Sequence, residues 1–594
     1  MKMKFIIFLF MAIWLGILSR VYYLSVKSND FYEKLSSQNS IKIEKIAPIR
    51  GEILDINKKP VAINELGFKV LLAPHLGVEL ESEVDELLEL LPDFDKEKII
   101  KEYKKNDSYY NHKPIEVIPF VSYEQSMPVY TKLSLKKNVE VVSSPKRYYP
   151  YEKVAAHVLG YVARANTQDV EEDPLLELIG YKGKSGLENY YNDYLQGEAG
   201  EREVKVNAKN QKIEELSYIK PDEDRTLILN IDIELQEFIS TLFENKSGAV
   251  VVMGVDGAVL AASSFPEYNL NSFISGISSK EWDRIINSLE KPFTNKLING
   301  LYPPGSIIKN SLGLIFLTSN EVGKNFNVFC TAELPVGNRV FRCWKGIGHG
   351  HTDVIKAIRE SCDDYFYKGS LKLGIDKMSR GFLNHGLGAK TGIDLPNEFI
   401  GTVPSREWKM QRFQKQWYIG ETVNTSIGQG DFLTSPMQIA ANTALMATGK
   451  LPTPRLVKYK GDEELAPAYR DVLSKDELQA LPTIQKAMYE VCNSYGGTAR
   501  NYLNTKVKIA GKTGTAQVVG IKQNIKQREL EHEMAYYNRS HAWMSTYGPY
   551  DKPKYVVSVM VEHGGHGGAA TGGIVSAIYD KLVELGYIEL DESK

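Results

Sequence analysis

Residues Phe5 to Leu18 form one unbroken apolar run, followed by Ser19-Arg20 and the mixed stretch Val21 to Val26. A helix over Phe5–Val26 rises about 33 Å, enough to cross the hydrocarbon core of a bilayer. Arg20 can snorkel to the far interface, where Tyr22 and Tyr23 also sit well. A cleaved signal peptide has a shorter apolar region, and no small-x-small cleavage site follows this run. Lys2 and Lys4 predict that the short N-terminus stays in the cytoplasm. No later stretch is long and apolar enough to span, so the bulk of the chain is expected outside the cytoplasm, behind a single-pass anchor over 5–26 and a tail of residues 1–4.

The chain beyond the anchor is too long for one hydrophobic core: 594 residues in all imply roughly three or four folding units. A formal net charge of −2 supplies no basic field, and no nucleic-acid motif is present, so nucleic acid is not an expected partner. From Asn29 to about Glu215 short β-like runs such as Phe68–Leu72 alternate with charged helical stretches such as Glu81–Leu91. The polar stretch Lys220–Arg225 reads as a boundary. Beyond it, Thr226–Asn230 is strand-like and Ile233–Phe243 has helical spacing. Gly248–Met253 and Ala258–Ala262 flank Asp256-Gly257, a hairpin signal. Tyr555–Val561 is another apolar strand and Gly572–Leu585 a helix candidate. Strands at both ends with helices between give an α+β class, an antiparallel sheet with helices packed on it.

Three short motifs carry chemistry. Ser306-Ile307-Ile308-Lys309 follows Tyr302-Pro303-Pro304-Gly305; Ser361-Cys362-Asp363 comes second and Lys512-Thr513-Gly514-Thr515 third. The Pro-Pro-Gly turn before a helical run predicts Ser306 in the first turn of a helix, where free N–H groups favour negative charge. Helical spacing puts Lys309 one turn below the Ser306 hydroxyl. A serine nucleophile needs a base, and a lysine serves only when burial or a second cation lowers its pKa. Lys309 is the expected base and Lys512 the expected second cation. Ser361 is expected to relay a proton to the leaving amine, and Asp363 to orient its neighbours. Lys512 and Thr513 would grip a substrate carboxylate on a strand whose Gly514 and Thr515 also line the substrate. The backbone N–H groups of Ser306 and Thr515 would form an oxyanion hole.

Cysteine usage adds a second centre. Cys330, Cys343, His349 and Cys362 fall between the first motif and the end of the second, and three thiolates with an imidazole make a tetrahedral zinc set. A Cys330–Cys343 disulfide is an alternative in an oxidising compartment, and simple core packing is an alternative for Cys362. His351 is a spare ligand, and Cys492 is expected to be structural. A structural zinc is predicted, with no cofactor required for acyl transfer. The stretch Glu562 to Gly568, with His563 and His566, is read as a glycine-rich loop at the site's rim.

The three motifs in this order are the signature of class A β-lactamases and penicillin-binding proteins. Over nearly its whole length the chain resembles a class B penicillin-binding protein. Ile49–Asp55, Gly186-Leu187-Glu188 and Leu195-Gln196-Gly197 match the pedestal motifs, and Ser426–Gly430 with Thr434-Ser435-Pro436 matches a segment lining the active site. Asp363 in the second motif, Trp344, Gly348-His349-Gly350 and Pro404-Ser405-x-x-Trp408-Lys409 resemble the elongation branch, the penicillin-binding protein 2 group. The resemblance implies a β-rich pedestal over 27–220, a transpeptidase domain over 221–588 and a tail over 589–594. It implies an inner-membrane anchor with the bulk of the chain in the periplasm, and D,D-transpeptidation of peptidoglycan stem peptides through Ser306, which β-lactams would acylate. Partners of the RodA polymerase and MreC scaffold types are implied, as is a metal cluster at the four Cys and His positions. The open alternatives are a D,D-carboxypeptidase and a scaffold that mainly activates a membrane glycan polymerase.

Overall fold

The computed structural model describes residues 2–27, 41–111, 113–206, 212–222, 225–274, 276–519 and 530–590. Met1, Glu223 and Asp224 of the polar boundary, and residues 591–594 lie outside that set. The apolar run forms a helix over Lys2–Tyr22 that closes in a π-helical turn over Tyr23–Lys27. Met3–Lys27 is long and apolar enough to cross a membrane, and none of its most apolar window is buried inside the protein.

The chain divides into two compact units. One comprises residues 1–50, 165–181 and 196–225. Its antiparallel sheet places Gly200–Val206 between Ile41–Ile46 and Lys212–Ile219. Arg225 closes the unit's end by bonding Asp222 and Glu198.

The other unit holds the remainder, including residues 51–164 and 226–594. One part is a sheet in the order Ile115–Ser122, Gly67–Leu72, Val139–Ser143, covered by helices Leu80–Leu90 and Lys96–Asn106 around a core of Val70, Leu72, Val84, Leu87 and Ile99. Two sequence motifs meet in a buried clasp. Arg147 Nε donates to Glu188 Oε1 at 2.7 Å, its Nη1 donates to the Gly51 carbonyl at 2.8 Å, and the Tyr149 hydroxyl donates to Glu188 at 3.1 Å. Asp55 is fully buried and accepts the amides of Asn57, Lys59 and Ile233. The motif residues therefore act as internal fasteners.

The central sheet is built from β1 (Gly248–Gly254), β2 (Val259–Phe265), β3 (Ala510–Ala516), β4 (His541–Gly548) and β5 (Tyr555–Val561). It runs β2-β1-β5-β4-β3, antiparallel throughout, so β3 is an edge strand. The Asp256-Gly257 turn joins β1 to β2 as expected. Among the helices around it are, in chain order, α1 (Ile233–Leu242), α2 (Lys309–Thr318), α3 (Val354–Arg359), α4 (Asp363–Leu373), α5 (Pro436–Thr448), α6 (Lys475–Asn493) and α7 (Gly567–Glu584). Strand β5 is buried at successive positions from Val556 to Val561, which requires cover on both faces, and α5 and α7 both pack along it. Helix α7 starts at Gly567, earlier than the glycine-rich composition suggested. Helix α2 is buried from Lys309 to Leu317, so a lysine sits at the head of a wholly interior helix.

Removing one member of the buried clasp strands the other charge. Glu188→Ala is expected to destabilise the protein by about 3–5 kcal/mol in urea unfolding, whereas Arg147→Met combined with Glu188→Leu recovers most of that loss.

Candidate active site

The turn Gly305–Ile308 is a 3₁₀ helix that passes directly into α2. This differs from the continuous α-helix expected and sharpens the geometry, because residues i and i+3 eclipse in a 3₁₀ turn. Lys309 therefore lies beneath Ser306. Ser306 is half-buried and Lys309 fully buried. Gly305 takes φ 56°, and its N–H bonds the Gly428 carbonyl at 2.9 Å. Gly428, at φ 69°, comes so close that a Cβ there would lie 2.3 Å from the Gly305 oxygen. The Ser426–Gly430 motif is thus the bed on which the Ser306 turn rests.

All three motifs converge. Lys309 Nζ donates to Asp363 Oδ1 at 2.7 Å, to the Ser361 carbonyl at 3.0 Å and to Ser361 Oγ at 3.3 Å. From the other side, Lys512 Nζ donates to Ser361 Oγ at 3.1 Å and to the Thr513 carbonyl at 2.9 Å. Ser361 sits between α3 and α4 with φ 54°, a left-handed conformation that a non-glycine residue holds only when its surroundings enforce it. The Thr513 hydroxyl is 2.6 Å from that of Thr498. Thr515 accepts the Gly567 amide on its hydroxyl at 3.1 Å and the Gln429 side chain on its carbonyl at 3.3 Å. A Cβ on Gly305 would lie 2.9 Å from that carbonyl, so the backbones next to Ser306 and at Thr515 are adjacent. Gly514 lies against Pro304 and Ile307, on the strand that borders the turn.

The charges fall differently from the sequence expectation. Lys309 is in an ion pair with Asp363. Lys512 is the lysine whose pKa is held well below the ordinary value, first by complete burial and then by the Lys309 ammonium; Asp363 and Cys492 oppose the shift. Fully buried, Lys512 faces Ser361 instead of open solvent. Cys492 is itself buried, its thiol pushed up to about 12 by that burial.

The four predicted metal ligands also meet. Cys330, Cys343, His349 and Cys362 are buried, with their ligand atoms all within 4.8 Å of one another. His349 Nδ1 is 3.6 Å from Cys330 Sγ and 3.5 Å from Cys343 Sγ. Tetrahedral zinc with ordinary bond lengths sets its sulfur–nitrogen edges at about 3.5 Å. All four cysteines are free thiols. A hydrogen bond from Cys362 pulls the Cys343 pKa down, and the same bond pushes Cys362 up. Gly348, at φ 75°, lets the chain pass so near Cys330 that a Cβ would lie 2.2 Å from its carbonyl oxygen. His351 is exposed, packs edge-on against Phe329 and stands outside the cluster.

Cluster and site are joined by residues whose role the sequence did not signal. The Trp344 amide donates to Asp363 Oδ2 at 2.9 Å, and the Asp363 amide donates to Cys343 Sγ at 3.4 Å. The Trp344 indole N–H donates to the Glu360 carbonyl at 3.0 Å. Trp344 and Gln429 stood out only within family motifs and Gly567 only within the glycine-rich rim stretch; Thr498 carried no signal, and the contacts of Thr498, Gln429 and Gly567 span 15 to 86 residues. In the Glu562–Gly568 stretch, the His563 amide bonds His541 Nδ1 at 3.1 Å, and His566 stands at the N-cap position of α7 without a side-chain cap bond.

Comparison with known proteins bears on the whole chain. Residues 248–584 match the penicillin-binding protein transpeptidase domain model, and residues 45–229 the penicillin-binding protein dimerisation domain model. The peptidoglycan D,D-transpeptidase MrdA of Haemophilus influenzae is 35% identical, over 96% of this chain and 90% of its own length. The Escherichia coli protein of that name is 32% identical, over 96% and 91%. Among solved structures, penicillin-binding protein PBP2 in its complex with MreC from Helicobacter pylori matches with a TM-score of 0.85 and 41% identity, over 92% of this chain and 99% of that one. A chain of a peptidoglycan synthase complex that coordinates polymerization and crosslinking matches with a TM-score of 0.72 and 27% identity, over 99% of both chains.

Burial of Lys512 costs stability that its replacement would relieve. Native Lys512 gives up its proton below the ordinary value of 10.5, and the unfolded lysine does not, so the unfolded state binds more protons between the two pKa values. The stability of the parent relative to Lys512→Met is therefore expected to rise with pH across that interval. Paired urea unfolding curves at stepped pH would show the trend, and a flat difference would contradict it.

Proposed function

We propose that this chain, which belongs to the penicillin-binding protein transpeptidases and within them to the penicillin-binding protein 2 group, cross-links peptidoglycan stem peptides through an acyl-enzyme on Ser306. The observation that carries the reading is the shared hydroxyl: Ser361 Oγ receives hydrogen bonds from both Lys309 and Lys512, directly beside the turn that presents Ser306. Ser306 Oγ attacks the carbonyl of the penultimate D-alanine of a donor stem. Its proton passes into the lysine–serine network, in which Lys512 is the lysine whose pKa is held low and Lys309 is paired with Asp363. The oxyanion is received by the backbone amides of Ser306 and Thr515. Departing D-alanine takes the proton back through Ser361, and an amine of a neighbouring stem then attacks the ester and releases Ser306. Thr513, Gly514 and Thr515 lie on β3, an edge strand of the sheet, along which an extended peptide can lie. A β-lactam presents a strained amide to the same serine.

Zinc at Cys330, Cys343, His349 and Cys362 is part of the proposal, supported by the donor set and by the 3.5 and 3.6 Å edges. When bound, the ion would supply a structural cross-link. Cys343-Trp344 and Cys362-Asp363 then remain clasped, and the Asp363 carboxylate stays aimed at Lys309. The N-terminal helix is proposed as a single inner-membrane pass with its N-terminus inside and residues 27–594 in the periplasm. A scaffold of the MreC type and a glycan polymerase of the RodA type are proposed as partners, on the strength of the two matching complexes.

Incubation of the full-length protein with a penicillin is expected to add one drug mass to the parent and none to Ser306→Ala. A folded parent without an adduct would move the scaffold reading to the front. About one zinc per chain is expected by elemental analysis, falling several-fold in His349→Ala. Its removal by chelator should lower the melting temperature of the parent and leave His349→Ala little changed. A metal-free parent with the same melting temperature would remove zinc from the proposal.

A further inference from the structure

The turn that carries Ser306 starts at Tyr302, and more than its backbone holds Tyr302 in place. Its amide and carbonyl pair with Thr434 at 3.0 and 2.9 Å. Its phenol donates to Glu562 Oε1 at 2.7 Å. Glu562 Oε2 accepts the Ser247 hydroxyl and faces the Lys296 ammonium at 3.5 Å. Lys296 is 2% exposed and donates to the carbonyls of Phe265 and Glu290, both at 2.6 Å. Glu562 directly follows β5, Ser247 directly precedes β1 and Phe265 ends β2, so three strands of the central sheet converge on one phenol.

Desolvation offsets most of the attraction in a buried ion pair, so the pair is weak evidence for stability; here, with the Ser247 bond, it holds in one orientation the carboxylate that the phenol meets. None of these residues belongs to the acyl-transfer set. Between Tyr302 and Gly305 stand two prolines whose φ angles are locked, so a displacement of Tyr302 is passed on to Ser306 instead of being absorbed. Small displacements matter at a nucleophile, where a shift of about 1 Å can cost a hundredfold in rate.

We propose that Tyr302, Glu562 and Lys296 are positioning residues for the nucleophile: the phenol–carboxylate–ammonium chain pins the entry of the Ser306 turn to the end of the central sheet and so sets the rate of acylation. This rests on the acyl-enzyme reading above.

The test uses the full-length protein in detergent, with a fluorescent penicillin followed by stopped flow. Acylation at saturation is read separately from the half-saturating concentration and the labelled fraction. Tyr302→Phe keeps the ring and removes the hydroxyl. Its acylation constant is expected to fall about tenfold, with the half-saturating concentration and labelled fraction within twofold of the parent. Glu562→Gln keeps an acceptor for the phenol but loses the charge, and a smaller fall in the same constant is expected. Parent-like constants in both variants would overturn the proposal. So would a smaller labelled fraction reacting at the parent rate, since the chain would then serve folding alone. If Tyr302→Phe does not fold, Glu562→Gln decides by the same constant. An unlabelled parent, or a labelled Ser306→Ala, overturns the acyl-enzyme reading and this tie together; a labelled parent with unaffected variants overturns the tie alone.

Discussion

Two lysine side chains, Lys309 and Lys512, are completely buried and reach the same serine hydroxyl. Two ammonium groups at that separation, shielded from water, repel one another and both resist desolvation. The conflict is resolved by making the two unequal. Asp363 pairs directly with Lys309, while the hydrogen-bond partners of Lys512 are neutral and its pKa is held low. Much of the surrounding architecture supports that division. Ser361 is kept in a left-handed conformation, α2 delivers Lys309 from a wholly interior helix, and edge strand β3 delivers Lys512 from the opposite side.

Asp363 is in turn held at three points. One carboxylate oxygen meets Lys309 and the other meets the Trp344 amide, while its own amide meets the Cys343 sulfur. The cysteine–histidine cluster and the reaction centre thus share backbone: Cys343 adjoins Trp344, and Cys362 stands between Ser361 and Asp363. A structural cross-link at the four ligands would act on the orientation of one carboxylate without touching substrate.

The sequence carried a large share of the fold. The Asp256-Gly257 hairpin, the strand Tyr555–Val561 and the helix beginning at Ile233 appear where turn chemistry and periodicity put them. Errors lie at the ends of elements. Helix α7 begins at Gly567 because its first turn packs against β3, a tertiary contact that overrides the low helix propensity of glycine. The first turn at Ser306 is 3₁₀ and not α, in a segment whose backbone is tied to Gly428, which no local pattern reports.

For the site the division is just as physical. Residue types and short spacings alone singled out the candidate nucleophile, its lysine one turn away, the second and third motifs and the four metal-ligand candidates, because each is a local pattern of donors, acceptors or thiols. Which lysine pairs with the acid, the low-held pKa of Lys512, and what holds Asp363 and Tyr302 in place were decided only by the tertiary structure. Those properties depend on burial and on partners from 19 to 260 residues distant, and a charge's free energy is set by what surrounds it in space.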